Sequence, residues 1–198
     1  GGLRAVVVPG DAIVARELDP IDATTRHATI DLEGVRVGSD RLLMGSDSDD
    51  VVVRALQEAT VGVAASTLGA CQRILDLNLD HARERQQFGV PIGSFQAVKH
   101  MCAEMIAELE PARSLLWYAA HAFDAIPHEA PLLACHVLAH VSEIGREISS
   151  VATQVHGGIG WTDEQNLHFW FKRISAARHM LGGPAWLRER AAALQGLA

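Results

Sequence analysis

The spacing of hydrophobic positions changes once along the chain, from short alternating runs to a helical repeat. Residues 3–8 form a β-branched run that ends at a proline-glycine turn, and residues 28–32 and 35–37 alternate on either side of a Glu-Gly turn. Such runs predict β-strands. Three short strands cannot enclose a core alone, so residues 1–45 are predicted to be the end of a larger β-domain.

From residue 51 onward, apolar residues recur at steps of three and four, the repeat of an amphipathic helix. Residues 46–50, polar and acidic, are predicted to be a linker. Cap and turn residues divide the remainder into five predicted helices. The first begins at residue 51, the second after Pro91 with Ser94 as N-cap, and the third at about residue 129. The fourth begins at about residue 162 with Thr162 as cap, and the fifth at Pro184. Long helices with short connections predict a four-helix bundle over residues 51–198. The predicted fold class is therefore mainly α, a C-terminal four-helix bundle preceded by a few β-strands.

The first predicted helix has one apolar and one polar face. The apolar face is predicted to enter the core and consists of Leu68, Cys71, Leu75, Leu79 and Ala82. The opposite face carries Arg73, Asp76, Asp80 and Glu84. Small residues crowd positions 62–70, which predicts close approach of a neighbouring helix.

Composition excludes two classes of partner. The 198 residues carry a net charge of −7, and no basic run is longer than two residues, so nucleic-acid binding is not expected. No uninterrupted apolar stretch approaches the roughly 18 residues of a membrane span. The three cysteines are far apart without a CxxC spacing, which indicates buried, reduced thiols in a cytosolic protein.

Two short segments stand out for their chemistry. Residues 85–89 read Arg-Gln-Gln-Phe-Gly at the end of the first long helix, and residues 154–160 read Gln-Val-His-Gly-Gly-Ile-Gly after the third. Amides of a glycine-rich turn can receive a phosphate, but the same residues suit a helix C-cap, and Arg85 suits a cation at a helix end. The glycine spacing is not that of a Rossmann fingerprint. Taken alone, neither segment decides between a binding and a structural role.

Metal and hydrolase sites are weaker alternatives. Residues 45–50 are acidic, but the later glycine and glutamate of a calcium-binding EF-hand are absent. His136 and His140 share a helical face, yet no Glu-x-x-His pair of a di-iron bundle accompanies them, so surface or interhelical histidines are the better interpretation. The Gly-x-Ser-x-Gly motif of a serine hydrolase is missing.

Together, the two segments resemble the flavin-contacting segments of the acyl-CoA dehydrogenase family. Residues 75–89 follow the order Leu-Asp-x-x-x-x-His-Ala-x-x-Arg-x-Gln-Phe-Gly, residues 91–100 continue the family pattern, and residues 154–164 match the later signature. Residues 3–43 resemble the second half of the family's middle β-domain. The resemblance covers essentially this whole chain but only the back part of a family member, so we expect the chain to belong to a longer protein.

The resemblance implies FAD as cofactor, bound across a subunit boundary of a dimer or tetramer. It implies that Arg85 binds the FAD pyrophosphate of the neighbouring subunit, that Gln87 hydrogen-bonds the cofactor, and that Phe88 packs against it. It assigns Gln154 and the amides of Gly157 and Gly158 to the adenosine and pyrophosphate end, where glycine permits close approach.

The resemblance also implies α,β-dehydrogenation of an acyl-CoA thioester, in which a glutamate removes the α-proton and the flavin accepts the hydride. The family's usual base stands in a Tyr-Glu-Gly-Thr-like motif, where this chain has Leu181. A minority of the family carries the base on the first long helix, and that position is Ala59 here. Glu58 is next to it but turned by about 100° around the helix, so it is a weak candidate and a solvated carboxylate is the better interpretation.

We therefore expect no catalytic base from this chain and a partner chain that supplies one, as in bacterial heteromers associated with sterol side chains and other bulky acyl-CoAs. The implied partners are an acyl-CoA substrate, electron-transfer flavoprotein or a similar acceptor, and further subunits, in the bacterial cytoplasm. Two alternatives remain open: a self-sufficient homo-oligomeric dehydrogenase with a displaced base, and a non-catalytic scaffold bundle.

Overall fold

The computed structural model of this chain describes residues 5–43 and 48–197, apart from the side chains of residues 43, 48 and 49. Two small antiparallel sheets come first. Strand β1 (Ala5–Val6) pairs with β4 (Leu42–Leu43), and β2 (Val14–Leu18) pairs with β3 (His27–Asp31). Every residue of β2 and nearly every residue of β3 is exposed, as expected of strands that cannot enclose a core alone.

The strand predicted at residues 35–37 is wrong. Gly34 adopts a left-handed conformation, and the Val35 N–H donates to the Leu32 carbonyl in a turn, so the chain leaves the ladder there. Strand β2 was missed by the sequence pattern. Residues 46–47 of the predicted linker and 45–47 of the predicted calcium loop lie outside the described residues, and the remaining residues of both, 48–50, already belong to a helix that begins at Ser48.

The described chain contains five α-helices, in agreement with the helical repeat. They are α1 (Ser48–Glu84), α2 (Gln96–Ala125), α3 (Ala130–His156), α4 (Leu167–Ala177) and α5 (Gly183–Leu194). Helix α3 is central, because it packs against each of the other four. The bundle core follows from this arrangement, and Ile74, Leu138 and Val141 are fully buried within it.

The predicted core face of α1 is confirmed. Leu68, Cys71, Leu75 and Ala82 are buried, and Leu79 is half-buried against the same core. Burial raises the pKa of the Cys71 thiol to about 12, and Cys102 and Cys135 are buried free thiols as well.

Two predicted caps are wrong for one physical reason. The Ser94 hydroxyl donates to the Pro91 carbonyl at 2.7 Å within a 3-10 turn, and Phe95 takes the N-cap position of α2. The Thr162 hydroxyl donates to the Ile159 carbonyl at 2.8 Å, and α4 begins only at Leu167 after a left-handed Asn166. In both cases the hydroxyl bonds backwards to a turn instead of forwards to a helix.

By length and apolar composition, the stretch Asp50–Glu84 is the one described helix that could cross a membrane. Length and composition are weak evidence for a membrane span, since a helix that lines a protein core meets the same two conditions. Helix α1 buries one face against α2, α3 and α4.

Candidate cofactor site

The Arg-Gln-Gln-Phe-Gly segment forms a tight hairpin at the end of α1. Strand β5 (Gln86–Gln87) pairs antiparallel with β6 (Val90–Pro91), and the N–H of Ile92 donates to the Arg85 carbonyl at 2.8 Å. Phe88 and Gly89 form the turn with φ of 56° and 81°, the two left-handed positions of a type I′ turn. Arg85, Gln87 and Phe88 therefore leave the bundle at one exposed corner.

Phe88 is held out into solvent at a conformational cost. A bulky residue in the left-handed region costs about 1–2 kcal/mol, yet the Phe88 side chain is 92% exposed. Its only aromatic contact among the described residues is the edge of Phe95, with ring centroids 6.1 Å apart. The hairpin thus presents an aromatic face that little of the described chain covers.

The Gln-Val-His-Gly-Gly-Ile-Gly segment ends α3 and turns the chain sharply. Gly157 is the C-cap with φ 65° and ψ −145°, a conformation that only glycine adopts readily, and its N–H donates to the Gln154 and Thr153 carbonyls. A Cβ placed on Gly157 or Gly158 would meet no heavy atom within 4 Å. The glycines therefore leave an open surface over the backbone at this end of the helix.

A pair of stacked histidines joins the two segments. The ring of His81, four residues before Arg85, stacks on the ring of His156, one residue before Gly157, with centroids 4.3 Å apart and planes 15° from parallel. The N–H of Arg85 donates to the His81 carbonyl at 2.9 Å. Because the C-terminal ends of α1 and α3 meet in this contact, the hairpin and the glycine turn lie at the same end of the bundle.

The surroundings of both histidines favour the neutral form of the ring. His156 is buried and its Nδ1–H donates to the Ala152 carbonyl at 2.9 Å, so its Nε2 carries a lone pair, for which the described residues offer no donor. Burial lowers the pKa of His156. Burial also lowers the pKa of His81, and the charge that a protonated His156 would carry and the charge of Arg85 lower it further.

A groove of about 560 Å³ runs beside the glycine turn. It is lined by Gln154 and Gly157 and by five residues that the sequence prediction missed: Arg146, Ser150, Thr153, Trp161 and Phe171. The signal that could have found three of them is helical spacing, because positions 146, 150, 153, 154 and 157 share one face of α3. Arg146 is paired with Glu147 at 3.3 Å, so its charge is partly neutralised there.

These residues fit a pyrophosphate-bearing flavin nucleotide. Arg85 is exposed and, within the described part of the chain, forms no ion pair, so its guanidinium is available to phosphate oxygens. The Gly157 N–H is already used in the helix cap, but the backbone at Gly157 and Gly158 is exposed. This backbone and the ring of Phe88 supply a polar and an aromatic surface at the same end of the molecule.

The loop where the family's base is expected is apolar. Leu181 is half-buried against the bundle core in a left-handed conformation with φ 52°. The next two residues, Gly182 and Gly183, also have positive φ, and the Trp186 ring covers Gly182 so closely that a Cβ there would lie 2.6 Å from it. No proton acceptor stands at this position.

Glu58, the weak candidate on α1, lies on the solvent side. Its carboxylate is exposed and accepts from Arg54 Nε at 2.8 Å, one turn earlier on the helix. The Arg54 guanidinium in turn lies 5.9 Å from the centre of the Phe123 ring. This is the geometry of a surface ion pair and not of a desolvated base.

Comparison with known proteins agrees with this geometry. Residues 50–193 match the description "Acyl-CoA dehydrogenase, C-terminal domain". Acyl-CoA dehydrogenase IpdE2 of Mycolicibacterium smegmatis is 36% identical over 126 residues, which are 64% of this chain and 39% of that protein. The glutaryl-coenzyme A dehydrogenase complex with glutaryl-CoA superposes with a TM-score of 0.91 and 25% identity, over 100% of this chain and 51% of that one.

The chain therefore belongs to the acyl-CoA dehydrogenase family. The ChsE4-ChsE5 complex from Mycobacterium tuberculosis shares the fold at a TM-score of 0.83 and 24% identity, over 94% of this chain and 50% of that one. This chain spans 39% of IpdE2 and about half of each of the two solved chains. It corresponds to the C-terminal, helical portion of the family.

Proposed function

We propose that this chain is the C-terminal portion of an FAD-dependent acyl-CoA dehydrogenase subunit whose catalytic base is supplied by a partner chain. The observation that carries the proposal is the juxtaposition of the exposed hairpin and the open glycine turn through the stacked pair His81 and His156. A bundle without a cofactor has no need to hold Phe88 in solvent in a left-handed conformation.

In this proposal each site residue has one task. Arg85 binds the FAD pyrophosphate as a charged fork, Gln87 donates a hydrogen bond to the cofactor, and Phe88 packs against it. Gln154 and the backbone at Gly157 and Gly158 hold the adenosine and pyrophosphate end, in the open groove beside α3. The bound flavin would supply the hydride acceptor, while the protein orients it and excludes water.

The finer part of the proposal concerns the base. Leu181 cannot accept a proton, and Glu58 is engaged with Arg54 on the surface. The ChsE4-ChsE5 structure is a precedent for a two-chain assembly with this fold. We infer a hetero-oligomer that acts on an acyl-CoA thioester in the bacterial cytoplasm and passes electrons to electron-transfer flavoprotein or a similar acceptor.

The test is the visible spectrum of the full-length protein, purified alone and with its partner, during anaerobic titration with acyl-CoA thioesters. We expect the flavin to bleach only when the partner is present. Bleaching by the chain alone would contradict the pairing and favour the self-sufficient enzyme. Absence of flavin from the chain and from the complex would contradict the cofactor site and favour a scaffold.

Substitution Arg85→Ala tests the role of this one residue in the proposed cofactor site. Loss of a charged hydrogen bond to phosphate costs about 1.5–3 kcal/mol, so FAD should bind about 10- to 150-fold more weakly. Arg83→Ala is the matched control, because Arg83 is also exposed and pairs only with Asp80, at 3.4 Å, in the described chain. Equal flavin affinity in the two variants would contradict the role of Arg85; equal helicity by circular dichroism would show that the bundle is intact.

A further inference from the structure

A second cavity lies between α1 and α4, away from the groove beside the glycine turn. Its volume is about 340 Å³, at the lower end of the roughly 300–1,000 Å³ range of small-molecule sites. Leu77 from α1 and Phe169 and Trp170 from α4 form apolar and aromatic walls. The cavity shares no lining residue with the groove beside α3.

Two guanidinium groups line this one cavity from opposite helices, Arg73 from α1 and Arg173 from α4. Neither forms an ion pair with any carboxylate whose side chain the structure describes. The nearest acid along α1, Asp76, accepts from the Gln72 amide at 2.9 Å and forms no ion pair with Arg73. Two guanidinium groups therefore line a largely apolar cavity without an ion-pair partner among the described side chains.

One contact fixes the orientation of Arg173. Its Nη1 donates to the Thr24 hydroxyl at 2.9 Å, and that hydroxyl donates to the buried Asp22 carboxylate at 2.6 Å. Asp22 also accepts from the Thr24 N–H at 2.9 Å and the Thr25 hydroxyl at 3.3 Å. The Asp22 carboxylate is engaged by this turn and reaches Arg173 only through the Thr24 hydroxyl, so the remaining nitrogens of the Arg173 guanidinium can donate to a ligand in the cavity.

Arg73 is exposed and Arg173 is half-buried, and like charges that line one cavity repel each other unless an anion lies between them. Guanidinium forks match the oxygens of phosphate and carboxylate, and aromatic walls suit a flat apolar group. We propose that this cavity is a second ligand site, which binds a small aromatic or apolar molecule through a phosphate or carboxylate held between Arg73 and Arg173. The site is independent of the FAD segments, because none of their residues takes part.

Calorimetric titration of the flavin-loaded full-length protein tests the proposal with phenyl phosphate, benzoate and the neutral isostere benzamide. We expect both anions to bind and benzamide not to saturate at concentrations at which benzoate does. Tighter binding of phenyl phosphate would identify a phosphate ligand, and tighter binding of benzoate a carboxylate. Failure of both anions to bind, or equal affinity for benzamide, would overturn the proposal.

Variants locate the site. We expect Arg73→Gln and Arg173→Gln each to weaken anion binding about tenfold or more, the effect of one charged hydrogen bond. Arg83→Gln is the control, because Arg83 is exposed on α1, the helix that carries Arg73, and its substitution should leave anion affinity unchanged. Arg173→Lys retains the charge and the link to Thr24, so it should fold like the parent protein and lose affinity only in part. Unchanged affinity in both glutamine variants would overturn the assignment. An unchanged flavin spectrum in these variants would show that the cofactor site is independent of this cavity.

Discussion

Two turns of this molecule use the same costly backbone geometry for opposite purposes. The hairpin after α1 and the loop after α4 each place a bulky residue, Phe88 and Leu181, in the left-handed region next to a glycine that is also left-handed. Phe88 is 92% exposed, whereas Leu181 packs against the core and the Trp186 ring lies directly beside the following Gly182. The hairpin exposes the Phe88 side chain to solvent, whereas the loop packs the Leu181 side chain against the bundle core.

The difference teaches what backbone strain can and cannot indicate. Packing against the bundle offsets the strain at Leu181, so no external partner is required to explain it. At Phe88 the contact with Phe95 offsets only part of the cost. A strained residue that the fold leaves uncovered points to a binding partner, here the proposed FAD, while a strained and covered residue points to the fold itself.

The largest expected effect compares the glycines of the two turns. Gly182→Ala should lose about 3–4 kcal/mol of unfolding free energy, because left-handed strain is added to a clash with Trp186. Gly89→Ala should lose only about 1–2 kcal/mol, since its Cβ would meet open space. Urea unfolding followed by circular dichroism measures both, and equal losses would show that the two turns are covered alike.

A smaller effect is expected from a carboxylate in the closed loop. Leu181→Glu should lose about 1–2 kcal/mol relative to the parent protein, because a charged group replaces a packed apolar one. Partial burial raises the pKa of the introduced carboxyl above its unfolded value of about 4.3. The variant is therefore more stable at low pH, where the carboxyl is neutral, and its free energy of unfolding falls as the pH rises through the folded pKa.

The neutral variant Leu181→Gln is the matched control for that substitution. Its stability relative to the parent protein should not depend on pH between about 4 and 6, whereas the glutamate variant should become progressively less stable than the glutamine variant over this range. Parallel pH profiles of the two variants would show that the loop is open to water.

The stacked pair His81 and His156 predicts that the stability of the protein depends on pH. Since the fold lowers the pKa of His81 and His156, the unfolded chain binds protons more readily, and stability should fall as the pH drops below the unfolded value of about 6.5. His156→Phe should flatten the profile between pH 5 and 7. His136→Phe on the exposed side of the same helix is the control, and an equal flattening in that variant would contradict the assignment.

The smallest stability effect is expected at the tip of the hairpin. Phe88→Asn relieves left-handed strain, because asparagine tolerates this region, but loses the edge contact with Phe95, so the net change should stay within about 1 kcal/mol of zero. Flavin retention on a desalting column should nevertheless fall. Retention equal to that of the parent protein would show that Phe88 is exposed without a ligand to cover.

Local sequence patterns were sufficient for the long helices and for the core face of α1, since one apolar stripe of period 3.6 governs both. The patterns failed where a local choice was nearly balanced. Ser94 and Thr162 suit a cap and a 3-10 turn equally well, and only the structure shows which carbonyl each hydroxyl reaches.

Tertiary contacts explain what sequence could not supply at the site. The two cofactor segments were found by resemblance, but the contact that brings them together, His81 on His156, joins residues on different helices and has no local signature. The same holds for Arg73 and Arg173, which meet only because α1 packs against α4.

The central position of α3 has a consequence for how the protein folds. The two proposed cofactor segments follow the C-terminal ends of α1 and α3, and all of α2 lies between them in the sequence. They can come together only when folding closes a loop of some seventy residues. A ligand that bridges both segments can therefore bind only after the three helices have assembled. If FAD is that ligand, as proposed above, its binding energy stabilises the whole bundle and not one corner, so FAD binding and folding are coupled.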